Sequence, residues 1–271
     1  MGLLLKHSRR IVLLLPIFIL TSCTALQNSR PLQPLPVVWI QGGSFIMGDT
    51  ISEGNEDSLP LHEVFVPGFF LMAHEVTFEQ FDRFSSQHPG IAPPDDEGLG
   101  RGSRAVVEVT WDEALAFCQA YGLRLPTERE WEYAAKEGQK QRLYSGADDL
   151  ESLVDYARFK ENSSPNSGRV MSKKPNGFGL FDMTGNVFEW IGGYYPFYKE
   201  NADSVVWYPI GSMDMKVIRG GSYREQVGTL SNHWRVAVLG FTREDDIGFR
   251  CAGDRAATQH SQVLVVEPGL R

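Results

Sequence analysis

The chain has 271 residues, of which 42% are hydrophobic, 11% aromatic and 22% charged, and its formal net charge is −8 at pH 7. This length and composition predict a packed globular protein with one large core or two small ones. The acidic balance argues against nucleic acid as a partner, because binding to phosphates requires a surplus of Lys and Arg.

The first 22 residues predict an export signal. Three basic residues precede the apolar run IVLLLPIFIL (11–20), which is too short to cross a bilayer comfortably as a helix. The run ends in LTSC, which resembles the lipobox of bacterial lipoproteins and implies cleavage before Cys23 and lipid attachment to its sulfur. The alternative is an uncleaved anchor or an ordinary signal peptide with a chance cysteine. Because Thr24 rather than Asp follows, the resemblance implies the outer membrane, facing the periplasm, in a Gram-negative cell envelope.

The mature chain begins with a tether. Removing residues 1–22 takes away three of the 26 basic residues and none of the 34 acidic ones, which leaves 23 against 34 and a net charge of −11. Residues 23–36 contain three prolines and no apolar periodicity, which predicts a lipidated, semi-extended segment. We expect the folded domain at 37–253 and a C-terminal tail at 254–271.

Capping boxes predict three short helices. In this motif an N-cap Thr and a Glu or Gln three residues later satisfy two backbone donors reciprocally. An apolar face at helical spacing follows each box, and Gly122 and Gly138 are predicted to end the second and third helices. The boxes are Thr77 with Gln80, Thr110 with Glu113, and Thr127 with Glu130.

The remaining chain consists of short apolar segments between turn residues. This pattern predicts short strands in an irregular α+β domain, with an exposed loop at 93–104. The strand-length segments are VVWI, SFIMG, HEVFV, FFLM, AVVEV, GLFDM, NVFEWI, KVIRG and IGFRCA.

Two cysteines, Cys118 and Cys251, remain once Cys23 is assigned to lipid. In an oxidising compartment, two cysteines are most simply one disulfide. A free reactive thiol is the alternative.

Six blocks occur in order from about Val37 to Gly253: VVWIQGGSFIMGD, EVTFEQFDRF, VVEVTWDEALAFCQAYGLRLPTEREWEYAAKEG, NGFGLFDMTGNVFEWIGG, VIRGGSY and IGFRCAG. Together they resemble the signature blocks of the formylglycine-generating enzyme family, also called the sulfatase-modifying-factor domain. They span 217 of the 249 mature residues. The resemblance implies a compact, irregular variant of the C-type lectin fold, and it implies that Cys118 pairs with Cys251.

The same resemblance implies a calcium site at the GNVFEW block. Its ligands are the side chains of Asp182 and Glu189 and the backbone carbonyls of Gly185 and Val187. Calcium takes six or more oxygens, and waters complete such a set. The alternative for Glu189 is a buried carboxylate that accepts backbone N–H bonds.

The catalytic segment of the family corresponds to RGGSYREQVGTLSNHWRVA (219–237). The resemblance implies two cysteines after RGGS that hold copper(I) for oxidation by O2, but Glu225 and Ser231 stand near those positions. Soft thiolates suit copper(I) and hard oxygens do not, so we do not expect copper-dependent activity. Glu225, His233 and Arg235 are the candidate catalytic residues, with His233 and Glu225 as an acid/base pair. A solvated loop is the alternative.

The sequence leaves two functions open. The first is a membrane-anchored envelope lipoprotein that acts as a binding or accessory module for an envelope protein or a small-molecule ligand. The second is an oxidoreductase or tailoring enzyme of the same family that uses a different metal or different active-site residues. The six histidines show no HxxxH or HxH spacing, so no redox metal is assigned.

Overall fold

The computed structural model describes residues 32–50, 56–193, 214–256 and 262–267, which belong to one compact unit. The predicted signal segment, Cys23 and most of the tether lie outside the described residues, as does much of the predicted tail. Within the described ranges, no helix has the length and apolar character needed to cross a membrane.

The strands form two four-stranded sheets and a hairpin. Those in the described residues are β1 (Leu35–Ile40), β2 (Gly43–Met47), β3 (His62–Val66), β4 (Phe69–Met72), β5 (Phe188–Trp190), β6 (Met215–Arg219), β7 (Arg235–Leu239), β8 (Ile247–Gly248), β9 (Ala252–Gly253) and β10 (Val263–Val265). The first sheet has the order β10-β1-β4-β9 and the second β7-β6-β5-β8, while β2 and β3 pair with each other. The chain therefore crosses from the second sheet to the first between β8 and β9.

All three capping boxes are confirmed. The helices α1 (Phe78–Ser85), α2 (Trp111–Ala120) and α3 (Glu128–Ala135) each begin after the predicted Thr, with both reciprocal hydrogen bonds present. Gly122 and Gly138 follow α2 and α3 with φ values of +72° and +71°, which only glycine adopts at little cost. A one-turn helix, α4 (Leu150–Leu153), and three 3₁₀ turns complete the helical structure of the described residues: Glu56–Ser58, Gly138–Lys140 and Val227–Thr229.

Two strand predictions are wrong. The segment AVVEV (105–109) forms an isolated bridge at Ala105 rather than a strand, because Glu108 has a φ of +59° and ends the extended run. GLFDM (179–183) is an irregular turn with positive φ at Gly179 and Asp182. In both segments burial rather than sheet pairing explains the apolar residues: Val106 and Leu180 are at most 1% exposed.

Helices α1 and α2 share an aromatic core to which residues of both sheets contribute. Phe81 and Phe117 stack at a centroid distance of 5.7 Å, and Phe249 meets Phe117 edge to face at 5.3 Å. The predicted disulfide between Cys118 and Cys251 is present in this core, and both cysteines are fully buried. It joins α2 to the segment that crosses between the sheets.

A second core lies around α3. Trp131 is fully buried and packs with apolar residues of β1, β2, β4 and β6. The two cores, the short helices and the short strands confirm the predicted irregular α+β class. The loop 93–104 is largely exposed, with Pro94 buried.

The disulfide should contribute strongly to stability. Replacing both cysteines, C118A/C251A, should lower the free energy of unfolding by about 2–5 kcal/mol, because the bond closes a loop with a sequence separation of 133 and so restricts the unfolded chain. Urea unfolding of the mature chain, followed by tryptophan fluorescence, measures the change. A reducing agent should shift the unmodified chain to the midpoint of the variant and leave the variant unchanged. Peptide mapping that finds two free thiols would contradict the prediction.

Candidate functional site

The segment 219–237 begins with a glycine turn at the end of β6. Gly220 and Gly221 have φ values of +94° and +75°, and a Cβ on Gly221 would lie 2.5 Å from a methyl of Leu230. Such a contact is impossible without rearrangement, so Gly221 allows Leu230 to pack against the turn. The four residues 230–233 are all at most 2% exposed. This part of the segment belongs to the protein interior.

Buried ion pairs connect the ends of the segment to α3. Arg235 donates through Nε and Nη2 to both carboxylate oxygens of Glu128, each at 2.7 Å. Arg219 pairs with Glu132, which also accepts from Lys136 at 2.8 Å. A charge buried in a pair of this kind costs several kcal/mol if its partner is removed. The candidate catalytic Arg235 is therefore engaged in a bond that joins β7 to α3.

His233 has a carboxylate neighbour, but it is not Glu225. Its Nε2 lies 3.2 Å from Ser231 Oγ and 3.5 Å from Asp49 Oδ1. Glu225 instead accepts a hydrogen bond from Thr229 Oγ1 at 2.6 Å. Burial, opposed by the nearby Asp49 and Glu132 carboxylates, lowers the pKa of His233 to about 4. The structure thus holds His233 neutral at physiological pH and gives it a carboxylate partner from the β2–β3 connection.

The first half of the segment carries a different set of polar groups, of which Ser222 and Tyr223 are buried and Arg224 is exposed. Ser222 Oγ donates to Asp246 Oδ2 at 2.8 Å, and Tyr223 OH donates to Asp245 Oδ2 at 3.2 Å. The Arg224 guanidinium, half exposed, also pairs with Asp245. Burial raises the pKa of Asp246 above its ordinary value. Our sequence analysis missed both aspartates, although an acidic pair directly before the IGFRCA segment was a signal for them.

A small pocket brings the loop 93–104 to this surface. We call its four carboxylates the acidic surface: Asp95, Asp96, Glu97 and Asp245. The rest of the lining is Leu99, Arg104, Val107, Asn166 and Tyr223. One oxygen of Asp245, Oδ1, is buried without a hydrogen-bond partner.

The four predicted calcium ligands lie on one turn and the strand after it. Asp182 and Gly185 have φ values of +55° and +73°, so the chain folds tightly before β5. Asp182 Oδ2 accepts from the Met171 N–H at 2.7 Å, while its buried Oδ1 has no hydrogen-bond partner. Burial raises the pKa of Asp182 to about 6. An unsatisfied buried carboxylate oxygen is a feature that a cation would satisfy.

Glu189 is already partly satisfied. Arg250 donates to both of its oxygens at 2.7 Å, and the Trp131 indole N–H donates to Oε2 at 3.0 Å. These are side-chain donors rather than the backbone donors of the alternative interpretation. A carboxylate has about four acceptor positions, so one on Oε1 remains. The residues present therefore fit calcium through Asp182, Glu189 and the carbonyls of Gly185 and Val187, although the described residues contain no group of three or more His, Cys, Asp or Glu side chains placed for a metal.

The sequence analysis also missed Glu75. Its carboxylate is fully buried, and the Asn186 side-chain amide lies 3.1 and 3.0 Å from its two oxygens. Burial, and then the charge of Asp182, raise the pKa of Glu75 well above its ordinary value. A lone Glu in the apolar run FFLMAHEV was the available signal.

For copper(I), the residues present do not fit. Cys118 and Cys251 are joined to each other, and Ser231, near one of the expected cysteine positions, is 2% exposed and contacts His233. Glu225, near the other, presents carboxylate oxygens, which are hard ligands.

Comparison with known proteins gives consistent results. The family model for the sulfatase-modifying factor enzyme 1-like domain matches residues 24–255. The formylglycine-generating enzyme of Streptomyces coelicolor is 30% identical over 86% of this chain and 94% of its own. The inactive C-alpha-formylglycine-generating enzyme 2 of Mus musculus is 27% identical over 86% of this chain and 90% of its own. Treponema denticola variable protein 1, a solved structure, has a TM-score of 0.69 at 25% identity and covers 80% of this chain and 94% of its own. This similarity confirms the predicted fold class.

The low pKa of His233 should make stability depend on pH. The unfolded chain binds a proton at this histidine near pH 6.5, whereas the folded protein binds it only near pH 4. Protonation therefore favours the unfolded state progressively as pH falls from about 6.5 to 4. Over that range His233 lowers the free energy of unfolding by up to about 3 kcal/mol. H233Q should show a shallower decline of melting temperature between pH 7.5 and 4.5, measured by calorimetry. The matched control H62Q should keep the original profile, and an unchanged profile in H233Q would contradict the assignment.

Proposed function

This chain belongs to the sulfatase-modifying factor enzyme 1-like family, as its sequence blocks predict, and we propose that it is a lipid-anchored binding or accessory module of the bacterial cell envelope. One observation carries the proposal. In the segment that corresponds to the family's catalytic segment, both ends are fixed by buried ion pairs and residues 230–233 are buried, while Glu225 and Ser231 carry oxygen side chains.

Family membership alone does not assign the oxidase activity. The relatives include a formylglycine-generating enzyme and a protein whose name describes it as inactive. A copper(I) oxidase of this type requires soft thiolate ligands, and the one pair of cysteines in the mature chain beyond Cys23 is a disulfide. The chemistry of the donor set therefore favours binding over oxidation.

The acidic surface is the binding surface that we propose, and its pocket, of about 10 Å³, has room for one small cationic group. It combines the exposed loop 93–104 with Tyr223, from the segment 219–237, and with Asp245, which lies beyond that segment and shortly before β8. Four carboxylates and one guanidinium line the pocket, so we expect it to favour a cationic group on a small molecule or an envelope protein. A tailoring enzyme that uses these polar groups is the alternative, and it predicts turnover rather than binding.

One feature supports anchoring at Cys23: the LTSC motif after the apolar run 11–20 resembles a lipobox. Eleven residues separate Cys23 from the start of β1 at Leu35. Fully extended, they span roughly 36–40 Å, so the domain is held close to the lipid surface.

Calcium is the metal we propose, at Asp182, Gly185, Val187 and Glu189. Calcium would neutralise the unsatisfied oxygen of Asp182 and connect the turn to β5. It would supply structural stability and would take no part in a redox step.

Metal content and oxidase activity separate the two functions. The purified mature chain should contain calcium without stoichiometric copper or iron, measured by inductively coupled plasma mass spectrometry. Incubation with copper(I), O2 and a cysteine-containing peptide should yield no aldehyde by mass spectrometry. Aldehyde formation, or a stoichiometric redox metal, would favour the enzyme and overturn the accessory role.

Anchoring is tested at one residue. Intact-mass analysis of the full-length chain from the membrane fraction should show a lipid adduct on Cys23, and C23A should lack it, because the thiol that carries the lipid is gone. The matched control C118A/C251A leaves Cys23 in place and should keep the adduct. A parent chain without the adduct would rule out the lipid anchor.

A further inference from the structure

We propose that Glu75 is a positioning residue of the cation site. Through Asn186 it holds the turn 182–187 that presents the ligands, and its charge strengthens the attraction of the cation. This inference rests on the calcium site of the proposed function.

The contact between Glu75 and Asn186 is specific and buried. Both residues are fully buried, and the Asn186 Nδ2 lies 3.1 and 3.0 Å from the two Glu75 oxygens. On its other side, Asn186 Oδ1 accepts from the Gly168 N–H at 2.7 Å. The amide is therefore fixed from both ends. We call this contact between Glu75 and the Asn186 side chain the clamp. Because Glu75 precedes α1 in the chain, the clamp connects the turn 182–187 to a segment that is distant in sequence.

The turn needs such a clamp because its backbone is strained. Asn186 has a φ of +60° and Asp182 a φ of +55°, a region that costs non-glycine residues about 1–3 kcal/mol each. Gly185 lies between them, and a Cβ on it would sit 2.1 Å from the Arg158 carbonyl oxygen. Bonds of the Asn186 backbone to Arg158 and Tyr223 complete the restraint, at 2.8 and 2.9 Å. Held in this way, the backbone is fixed at Asn186, between Gly185 and Val187, the two residues that supply the proposed carbonyl ligands.

Charge gives Glu75 its second role. Three fully or almost fully buried carboxylates, Glu75, Asp182 and Glu189, share this region. Arg250 pairs with Glu189, and Arg158 interacts favourably with Asp182. A divalent cation bound here would favour the ionised forms of all three carboxylates, because a nearby positive charge stabilises a carboxylate, and Glu75 would then add its charge to the attraction. Glu75 is unlike the ligands because both of its oxygens face the Asn186 amide.

The clamp is tested with terbium and calcium on the full chain, purified in detergent and stripped with a chelator. Terbium(III) is an analogue of calcium(II) that emits when excited through a nearby indole, and Trp131 donates to Glu189. Terbium affinity is measured from this emission, and calcium affinity by competition. Removing a residue that orients metal ligands weakens binding by about 10- to 100-fold, which is the loss we expect in E75Q.

The two roles of Glu75 are distinguished by the charge of the ion. Coulomb energy scales with ionic charge, so E75Q should weaken terbium(III) more than calcium(II). N186G keeps the Glu75 carboxylate, and glycine accepts the positive φ at position 186, but the clamp is absent. N186G should therefore weaken the binding of both ions by the same factor. E63Q, at an exposed position on β3, should bind both ions as the parent does.

Failure of the inference and failure of the site give different results. Glycine at position 182 adopts the positive φ of the turn at little cost but has no carboxylate, so the substitution D182G should abolish the terbium emission. If the parent chain binds neither ion at millimolar concentration, the calcium site itself is wrong. If the parent binds, D182G does not, and E75Q and N186G bind unchanged, the site stands and the role of Glu75 is wrong. If E75Q fails to fold, N186G alone tests the clamp. An affinity of N186G for terbium and calcium equal to that of the parent would overturn the proposed role of the clamp.

Discussion

A bidentate ion pair between Arg250 and Glu189 joins the two sheets of the molecule. Arg250 lies where the chain crosses from β8 to β9, and it also donates to the carbonyls of Met72 and Phe181. Both charges are fully buried, so losing either partner would leave an uncompensated charge at a cost of about 3–5 kcal/mol. The disulfide at Cys251 fixes α2 to the next residue. Because Phe181 directly precedes the turn 182–187, the junction also fixes the start of this turn.

Short elements force side chains to satisfy the backbone. Where strands are two or three residues long, many buried N–H and C=O groups lie outside any ladder, and each still needs a partner. Asn176 shows the solution: its Oδ1 accepts from the N–H groups of Phe178 and Leu180, and its Nδ2 donates to Ala134. Asn186 does the same for its turn. Buried polar residues are therefore part of the architecture, and burial of a polar group here is weak evidence of chemistry.

This distinction changes the interpretation of the segment 219–237. Its charged residues looked like a catalytic set in the sequence, yet Arg219 and Arg235 bind α3, and His233 faces Asp49. The exposed charged residue of this segment is Arg224, which pairs with the half-buried Asp245 beside the loop 93–104. The fold thus places residues that resemble an active site in sequence among buried ion pairs, and the acidic surface that we propose as a binding site uses other residues.

Local signals in the sequence were sufficient for the three helix starts and the α+β class, because a capping box and an apolar period act within a few residues. Similarity to a family was sufficient for the cysteine pair, since the order of the six blocks along the chain carries long-range information. Neither source could predict that Asp49 faces His233, or that Glu75 meets Asn186 across 111 positions of chain. Such contacts depend on how whole elements pack. Only that packing decides which of the many carboxylates in the chain are buried beside a polar partner.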